Sequence, residues 1–197
     1  MPLVNMKRCL AFGLCLVVPG IAFAGVSGSN FDGMAPGPYT GAGSVLEGNP
    51  AAVQVAPSGS ETPVVPNGTG NVLVIDGRNE LSRIVVEFTF DCLVLPNQQC
   101  VVKYDFSATN TFSGSWGFQV HVDAGGVYDN ADDVWEPIGL ESIFGDNTEG
   151  AGTCDGSTHT ITFIVYPGTV LNIDNLNTQC IPPVPTAENL WSNIKQL

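Results

Sequence analysis

The sequence predicts an all-β fold, a sandwich of two antiparallel sheets followed by a short C-terminal helix. Three observations carry this reading. Segments of alternating apolar and polar residues recur along the chain, as expected of strands with one buried face. Gly (23) and Pro (14) are abundant among the 197 residues, which suits many short strands joined by turns and does not suit a helical bundle. No helix of crossover length lies between the strand-like segments. A parallel α/β sheet is therefore disfavoured, and burying one face of every strand calls for two packed sheets.

The elements follow in chain order. Residues 1–24 read as a secretory signal peptide: Lys7-Arg8 is a basic start, Cys9 to Pro19 is largely apolar, and Ala22-Phe23-Ala24 gives the small-x-small pattern before Gly25. A lipid anchor at Cys15 is disfavoured, because bulky Leu14 precedes it. Residues 27–70 are rich in Gly, Pro, Ser and Thr and hold two short strand candidates, Ser44–Leu46 and Ala52–Val55. Asn71–Ile75 is a strand stopped by Asp76-Gly77. Ile84, Val86, Phe88 and Phe90 then share one face, with Leu95–Gln99 as a turn and Val102, Tyr104 and Phe106 as the inward face of the return strand. Next, Trp116, Phe118, Val120 and Val122 are read as inward and Gln119 and His121 as outward. Shorter candidates at Val134–Ile138 and Leu140–Phe144 precede Thr160–Tyr166 and Val170–Leu176, for eight to ten strands in all. The proline-rich stretch Ile181–Pro185 cannot sustain a central ladder and serves as a spacer. Thr186 then caps a short helix with Leu190, Ile194 and Leu197 along one side. The expected organisation is a signal peptide over 1–24, a sandwich domain over 25–180 and a spacer with a helical tail over 181–197.

Charge and cysteines set the environment. There are 6 Lys+Arg against 19 Asp+Glu, a net charge of -13, which argues against nucleic acid as a partner. Cleavage after Ala24 removes two bases and no acid, so the mature chain is more acidic still. It keeps Cys92, Cys100, Cys154 and Cys180, an even number in a chain bound for an oxidising compartment. Three pairings are open. The local one, Cys92 with Cys100 at the end of a hairpin and Cys154 with Cys180, is favoured because each pair flanks strand-like segments. Closing loops of these lengths stabilises by about 2.6 and about 3.5 kcal/mol in the chain-entropy picture. A four-cysteine zinc site is disfavoured, because no pair has the tight knuckle spacing such sites use.

A resemblance adds to this reading. Asn30-Phe31-Asp32 near the mature start, the alternating strands, and Leu171-Asn172-Ile173-Asp174-Asn175-Leu176 near the end resemble secreted bacterial jelly-roll domains of the carbohydrate-binding, galactose-binding-like type. Val184-Pro185-Thr186, with Glu188 and Trp191, is similar to the opening of one class of C-terminal sorting signal, although the hydrophobic span and basic end of those signals do not follow. The resemblance implies a jelly roll at the cell surface or outside the cell. It also implies a structural calcium ion tying the first segment to the last strand, with Asp32 and Asp174 as ligands. Calcium takes six to eight oxygen ligands, so backbone carbonyls or a further acid such as Glu47 would complete the shell. Asp174 has a simpler reading as a solvent-facing strand residue. The acidic loop Asp123–Asp133 lacks the order of an EF-hand and is read chiefly as a solvated connection.

Sugar recognition needs an exposed aromatic ring beside hydrogen-bonding groups, since a pyranose has an apolar face and a polar rim. Trp135, Tyr128 and Trp116 are the candidates, with Gln119, Asp129 and Glu136 nearby; Trp116 has the phase of a core residue, so Trp135 and Tyr128 are preferred. Catalytic signatures are missing: there is no G-x-S-x-G and no H-E-x-x-H, and His121 and His159 read as surface residues. Glu87, Asp91, Asp105 and Asp123 would support glycoside hydrolysis only if strand pairing brought two of them roughly 5–9.5 Å apart. The expectation is a secreted, non-catalytic extracellular or cell-surface matrix protein acting through surface interaction with matrix proteins or polysaccharide. The alternative within it is a carbohydrate-binding module for an extracellular polysaccharide.

Overall fold

The computed structural model describes residues 31–61, 63–111, 115–123, 125–126, 131–137 and 139–182. The predicted signal peptide, the helical tail, Tyr128 and Asp129 lie outside them. Eleven strands run among the described residues in chain order: β1 Gly37–Pro38, β2 Ser44–Glu47, β3 Val53–Pro57, β4 Asn71–Asp76, β5 Ile84–Asp91, β6 Val94–Asn110, β7 Phe118–Val122, β8 Asp133–Trp135, β9 Ser142–Asp155, β10 Thr158–Val165 and β11 Thr169–Ile181. They form two antiparallel sheets, ordered β1-β3-β4-β11-β6-β9 and β2-β5-β10-β7-β8. The fold is the expected two-sheet sandwich of jelly-roll type.

The alternation read from the sequence builds the core. Ile84, Val86 and Phe88 of β5, Ile161 and Phe163 of β10, and Phe118 and Val120 of β7 are all at most 1% exposed, as are Leu171 and Ile173 from the facing sheet. Edge-to-face aromatic contacts join the sheets: Tyr104 meets Phe163 at 5.2 Å, and Phe106 meets Phe118 at 5.6 Å. Phe31, in a left-handed conformation at φ 49°, is buried in this core and fixes the position of Asp32 beside it.

The first hairpin expected from the sequence does not form. β5 pairs with β2 and β10, whereas β6 pairs with β11 and β9 in the opposite sheet. The Leu95–Gln99 segment read as a turn is already part of β6. A chain that crosses between sheets buries the inward faces of both strands against each other, which pairing within one sheet would not do. The Cys92–Cys100 disulfide thus staples the two sheets together, with Cα atoms 6.0 Å apart. Cys154–Cys180 joins β9 to β11, with Cα atoms 6.1 Å apart, and Cys180 stands opposite Cys100 in register. Both favoured pairings are present at one end of the sandwich.

The outer face of the six-stranded sheet is covered where the chain between β3 and β4 folds back over it. Ser107 Oγ donates to Pro63 O at 2.6 Å, and Asn175 Nδ2 donates to Asn67 O at 3.2 Å. Val65 in this segment is buried, as are Asn172 and Asp174 beneath it.

Candidate functional site

Gly117 shapes one end of the five-stranded sheet. Its φ of 71° lies in the left-handed region that glycine enters freely, and a Cβ there would collide with the carbonyl oxygen of Trp135. The alternation of β7 is therefore broken one residue before the strand begins. Ser115 is buried and Trp116 is turned outward, 67% exposed. The expectation that Trp116 belongs to the core is corrected by this single backbone conformation.

Trp116 does not stand alone. Its ring centroid lies 6.0 Å from that of Tyr166 with 33° between planes, and the Tyr166 amide donates to Gly117 O at 3.0 Å. The Tyr166 hydroxyl donates to Gln119 Oε1 at 3.2 Å. Arg83 also interacts with Tyr166, and two bonds of 2.8 Å tie its guanidinium to Glu47. Those bonds hold the Glu47 carboxyl below its ordinary pKa and raise that of Arg83, with Tyr166 adding to the latter. A shallow groove of about 300 Å3, lined by Ser115, Trp116, Glu136 and Pro137, runs beside the exposed indole. The surface thus combines a flat apolar ring with an amide, a carboxylate and a guanidinium.

The residues expected to bind sugar are divided by the structure. Gln119 belongs to this surface. Trp135 stands opposite Phe118 in register and packs on its ring at 5.9 Å, half-buried against the core, so one of its faces is committed to the fold. Glu136, next to it, is exposed in the groove. The signal that could have found Trp116 is the isolated glycine after it, since glycine within a strand pattern often marks a local break.

A second constellation joins the first described segment to β11. Asp174 is fully buried and accepts from Thr69 N at 3.0 Å through Oδ2, while its Oδ1 has no hydrogen-bond partner. Burial raises its pKa from 3.8 to about 6; the amides of Asn175 and Thr69 oppose the rise, and the carboxylates of Asp32 and Asp105 add to it. Asp32 Oδ1 accepts from Asn71 N at 3.0 Å, packed so tightly over Gly70 that a Cβ would strike it. Asp105 accepts from Asn175 Nδ2 at 2.6 Å. The structure therefore brings Asp32 and Asp174 together, adds Asp105, and leaves Glu47 out. Glu47 sits in the other sheet with its carboxylate engaged by Arg83. Among the described residues, no group of three or more His, Cys, Asp or Glu side chains is placed to hold a metal ion by itself.

The remaining acids are kept apart. Glu87 and Asp91 lie on β5 and Asp123 lies just beyond β7, with β10 running between those strands, while Asp105 belongs to the opposite sheet. Asp91 is taken by Thr158 Oγ1 at 2.6 Å, and Asp123 by His159 Nδ1 at 2.6 Å. Asp132, exposed at the surface, accepts from Val122 N at 2.6 Å, so it closes the end of β7. The histidines are not surface residues: His121 is 1% exposed and the His159 side chain 12%. His121 is enclosed on the outward phase of a strand flanked on both sides, and His159 packs its ring on Phe90 at 5.8 Å.

No protein-family model matches the sequence, and no curated protein matches it either. Solved structures do resemble the fold. The K2 cleaved adhesin domain of Lys-gingipain superposes with a TM-score of 0.52 at 14% identity, covering 83% of this chain and 100% of that domain. The CBM22-1 xylan-binding domain from Paenibacillus barcinonensis Xyn10C gives 0.41 at 13% identity over 83% and 99% of the two chains. TmCBM61, solved in complex with beta-1,4-galactotriose, gives 0.40 at 15% identity over 70% and 88%. At these identities the likeness is one of fold, and what the chain binds has to be argued from its own surface. No helix among the described residues is long and apolar enough to cross a membrane.

Proposed function

We propose that this chain is a secreted, non-catalytic binding domain that recognises an extracellular polysaccharide through the surface around Trp116 and Tyr166. The observation that carries the reading is the exposed Trp116 indole, backed by Tyr166 and bordered by Gln119, Glu136 and the Arg83–Glu47 pair. A pyranose presents an apolar face to such a ring and hydroxyls to such a border. The Trp135 carbonyl lies against Gly117, the residue after Trp116, and Gln119 acts at the rim of the platform. Tyr128 and Asp129 remain candidates from the connection between β7 and β8. The broader expectation of interaction with matrix proteins at a cell surface is the second reading; the exposed indole favours the sugar.

Calcium is proposed as a structural ion at Asp32 and Asp174. An orphaned, fully buried carboxylate oxygen beside two further carboxylates suits a hard cation that accepts oxygen donors. Asp32 and Asp174 would hold it with backbone carbonyl oxygens of the surrounding loops, and the ion would lock the start of the domain to β11.

Affinity electrophoresis of the mature protein against a panel of neutral and acidic polysaccharides tests the main reading. Retardation by at least one neutral polysaccharide, abolished by competing soluble oligosaccharide, is expected. Unretarded migration in every gel would move the assignment to matrix-protein interaction.

A further inference from the structure

The charge a ligand meets at the Trp116 surface is set by the segment that borders the indole. Trp135 O and Pro137 Cδ both press on Gly117, where an added Cβ would strike them, so residues 135–137 are fixed against the backbone next to Trp116. Glu136 sits between those two contacts. It is exposed, while Pro137 after it is buried, and it lines the groove of about 300 Å3 together with Ser115, Trp116 and Pro137. Ser115 Oγ is already engaged, by Thr169 Oγ1 at 2.7 Å and by Gly117 N at 3.2 Å. Glu136 is the charged side chain of this lining, and among the described residues no hydrogen bond or ion pair takes up its carboxylate.

The described bases do not offset this charge. Arg83 is held by both carboxylate oxygens of Glu47, and Arg78 by both of Asp76, so each pair is neutral as a unit. Lys103 lies on β6, in the opposite sheet. The groove therefore places an uncompensated, reachable carboxylate beside an exposed indole. We infer that the polysaccharide bound here carries unacetylated amino groups, with the ring of a protonated amino sugar resting on Trp116 and its ammonium donating to Glu136. This inference rests on the sugar reading of the Trp116 surface and adds the class of sugar to it.

An ammonium brings three donors and a positive charge to a carboxylate that lacks both. The electron-rich face of an indole attracts the same charge. A hydroxyl in place of the amine donates a hydrogen bond but leaves the carboxylate uncompensated, and acetylation removes the charge. A uronate would be repelled by Glu136 and by the net charge of -13, which draws cations toward the chain from a distance. A lysyl side chain of a partner protein has the ammonium without the ring. It cannot cover the indole as a pyranose does, and it has no hydroxyl for the Gln119 amide, whose oxygen is taken by Tyr166.

Isothermal titration of the mature protein with glucosamine and galactosamine oligosaccharides tests the inference, each set against the glucose or galactose oligosaccharide of the same linkage and length. At low salt the better amino oligosaccharide should bind about tenfold tighter than its hydroxyl counterpart, and high salt should erase most of that preference. A galacturonate oligosaccharide should bind more weakly than either. Glu136→Gln should bring the amino-to-hydroxyl ratio close to one, and Glu136→Lys should make galacturonate the tighter ligand. Both variants should melt as the native chain does, because Glu136 is exposed and unpartnered among the described residues. Equal affinity for the amino and hydroxyl forms, a ratio unmoved by Glu136→Gln, tighter native binding of galacturonate, or a lysine-containing peptide bound as tightly as the amino oligosaccharide would overturn the inference. Trp116-dependent binding of neutral oligosaccharides with no preference for the amine overturns it alone and leaves the sugar reading standing. Binding of none of these sugars or of the wider polysaccharide panel overturns both.

Discussion

Replacing Trp116 with alanine should separate binding from folding. The indole is 67% exposed and touches the rest of the domain mainly through Tyr166. A tryptophan side chain presents up to roughly 250 Å2, so about 170 Å2 is open, and one stacked sugar would cover about half of that. At about 25 cal/mol per Å2 this corresponds to about 2 kcal/mol, or about 30-fold in Kd. The folding cost should stay below about 1 kcal/mol, a fall in Tm of a few degrees at most for a domain of this size. Trp135→Ala is the contrast. Its ring packs on Phe118 and the core, so the substitution should cost about 2–3 kcal/mol and lower Tm by roughly 5–10 °C. Isothermal titration against the polysaccharide identified by electrophoresis, paired with calorimetric melting, reads both quantities. Undiminished affinity in Trp116→Ala would refute the reasoning, and so would a Tm drop as large as that of Trp135→Ala.

Three further outcomes follow from the same geometry. Calcium at a concentration well above its Kd should raise Tm by several degrees in the native sequence and not in Asp174→Asn; no calcium-dependent rise in the native sequence would remove the proposed ion. In chelator, the folded state holds a proton on Asp174 up to about pH 6 while the unfolded state releases it near 3.8, so stability relative to Asp174→Asn should fall as pH rises between those values. The size is on the order of 2 kcal/mol after allowance for solvent screening, measured by urea unfolding, and a difference that is flat or grows with pH would contradict it. Gly117→Ala should lose about 3 kcal/mol in urea unfolding, because the left-handed backbone and the Trp135 carbonyl both exclude a methyl group; a loss under 1 kcal/mol would contradict the role assigned to Gly117.

The strands with strict alternation were legible because a period of two survives only where one face is buried along the whole run. Ile84 to Phe90 and Ile161 to Val165 show this, each matching the buried pattern residue for residue on the inward phase. The partner of each strand was not legible. β5 and β6 are adjacent in sequence and carry the alternation of a hairpin, yet the chain crosses between sheets at Cys92–Cys100, because periodicity reports which face is buried and not against what. Most of β9 was missed beyond Phe144, since Gly145, Gly150 and Gly152 and the polar residues among them give no apolar repeat at a sheet edge. Asp32 and Asp174 were found through a resemblance, while Asp105 reaches them only by β6–β11 register. Trp116 was misplaced because one left-handed glycine reverses a phase that the neighbouring residues had set.

The central claim is that the exposed indole at the end of the five-stranded sheet is where the ligand rests. The Trp116 indole N–H resonance, followed during titration with a soluble oligosaccharide of the bound polysaccharide, tests it most directly. The account predicts a saturable shift of Trp116, accompanied by shifts at Tyr166 and Gln119 and a much smaller one at the core-facing Trp135. Saturable binding that leaves the Trp116 signal unmoved while perturbing residues elsewhere would contradict it.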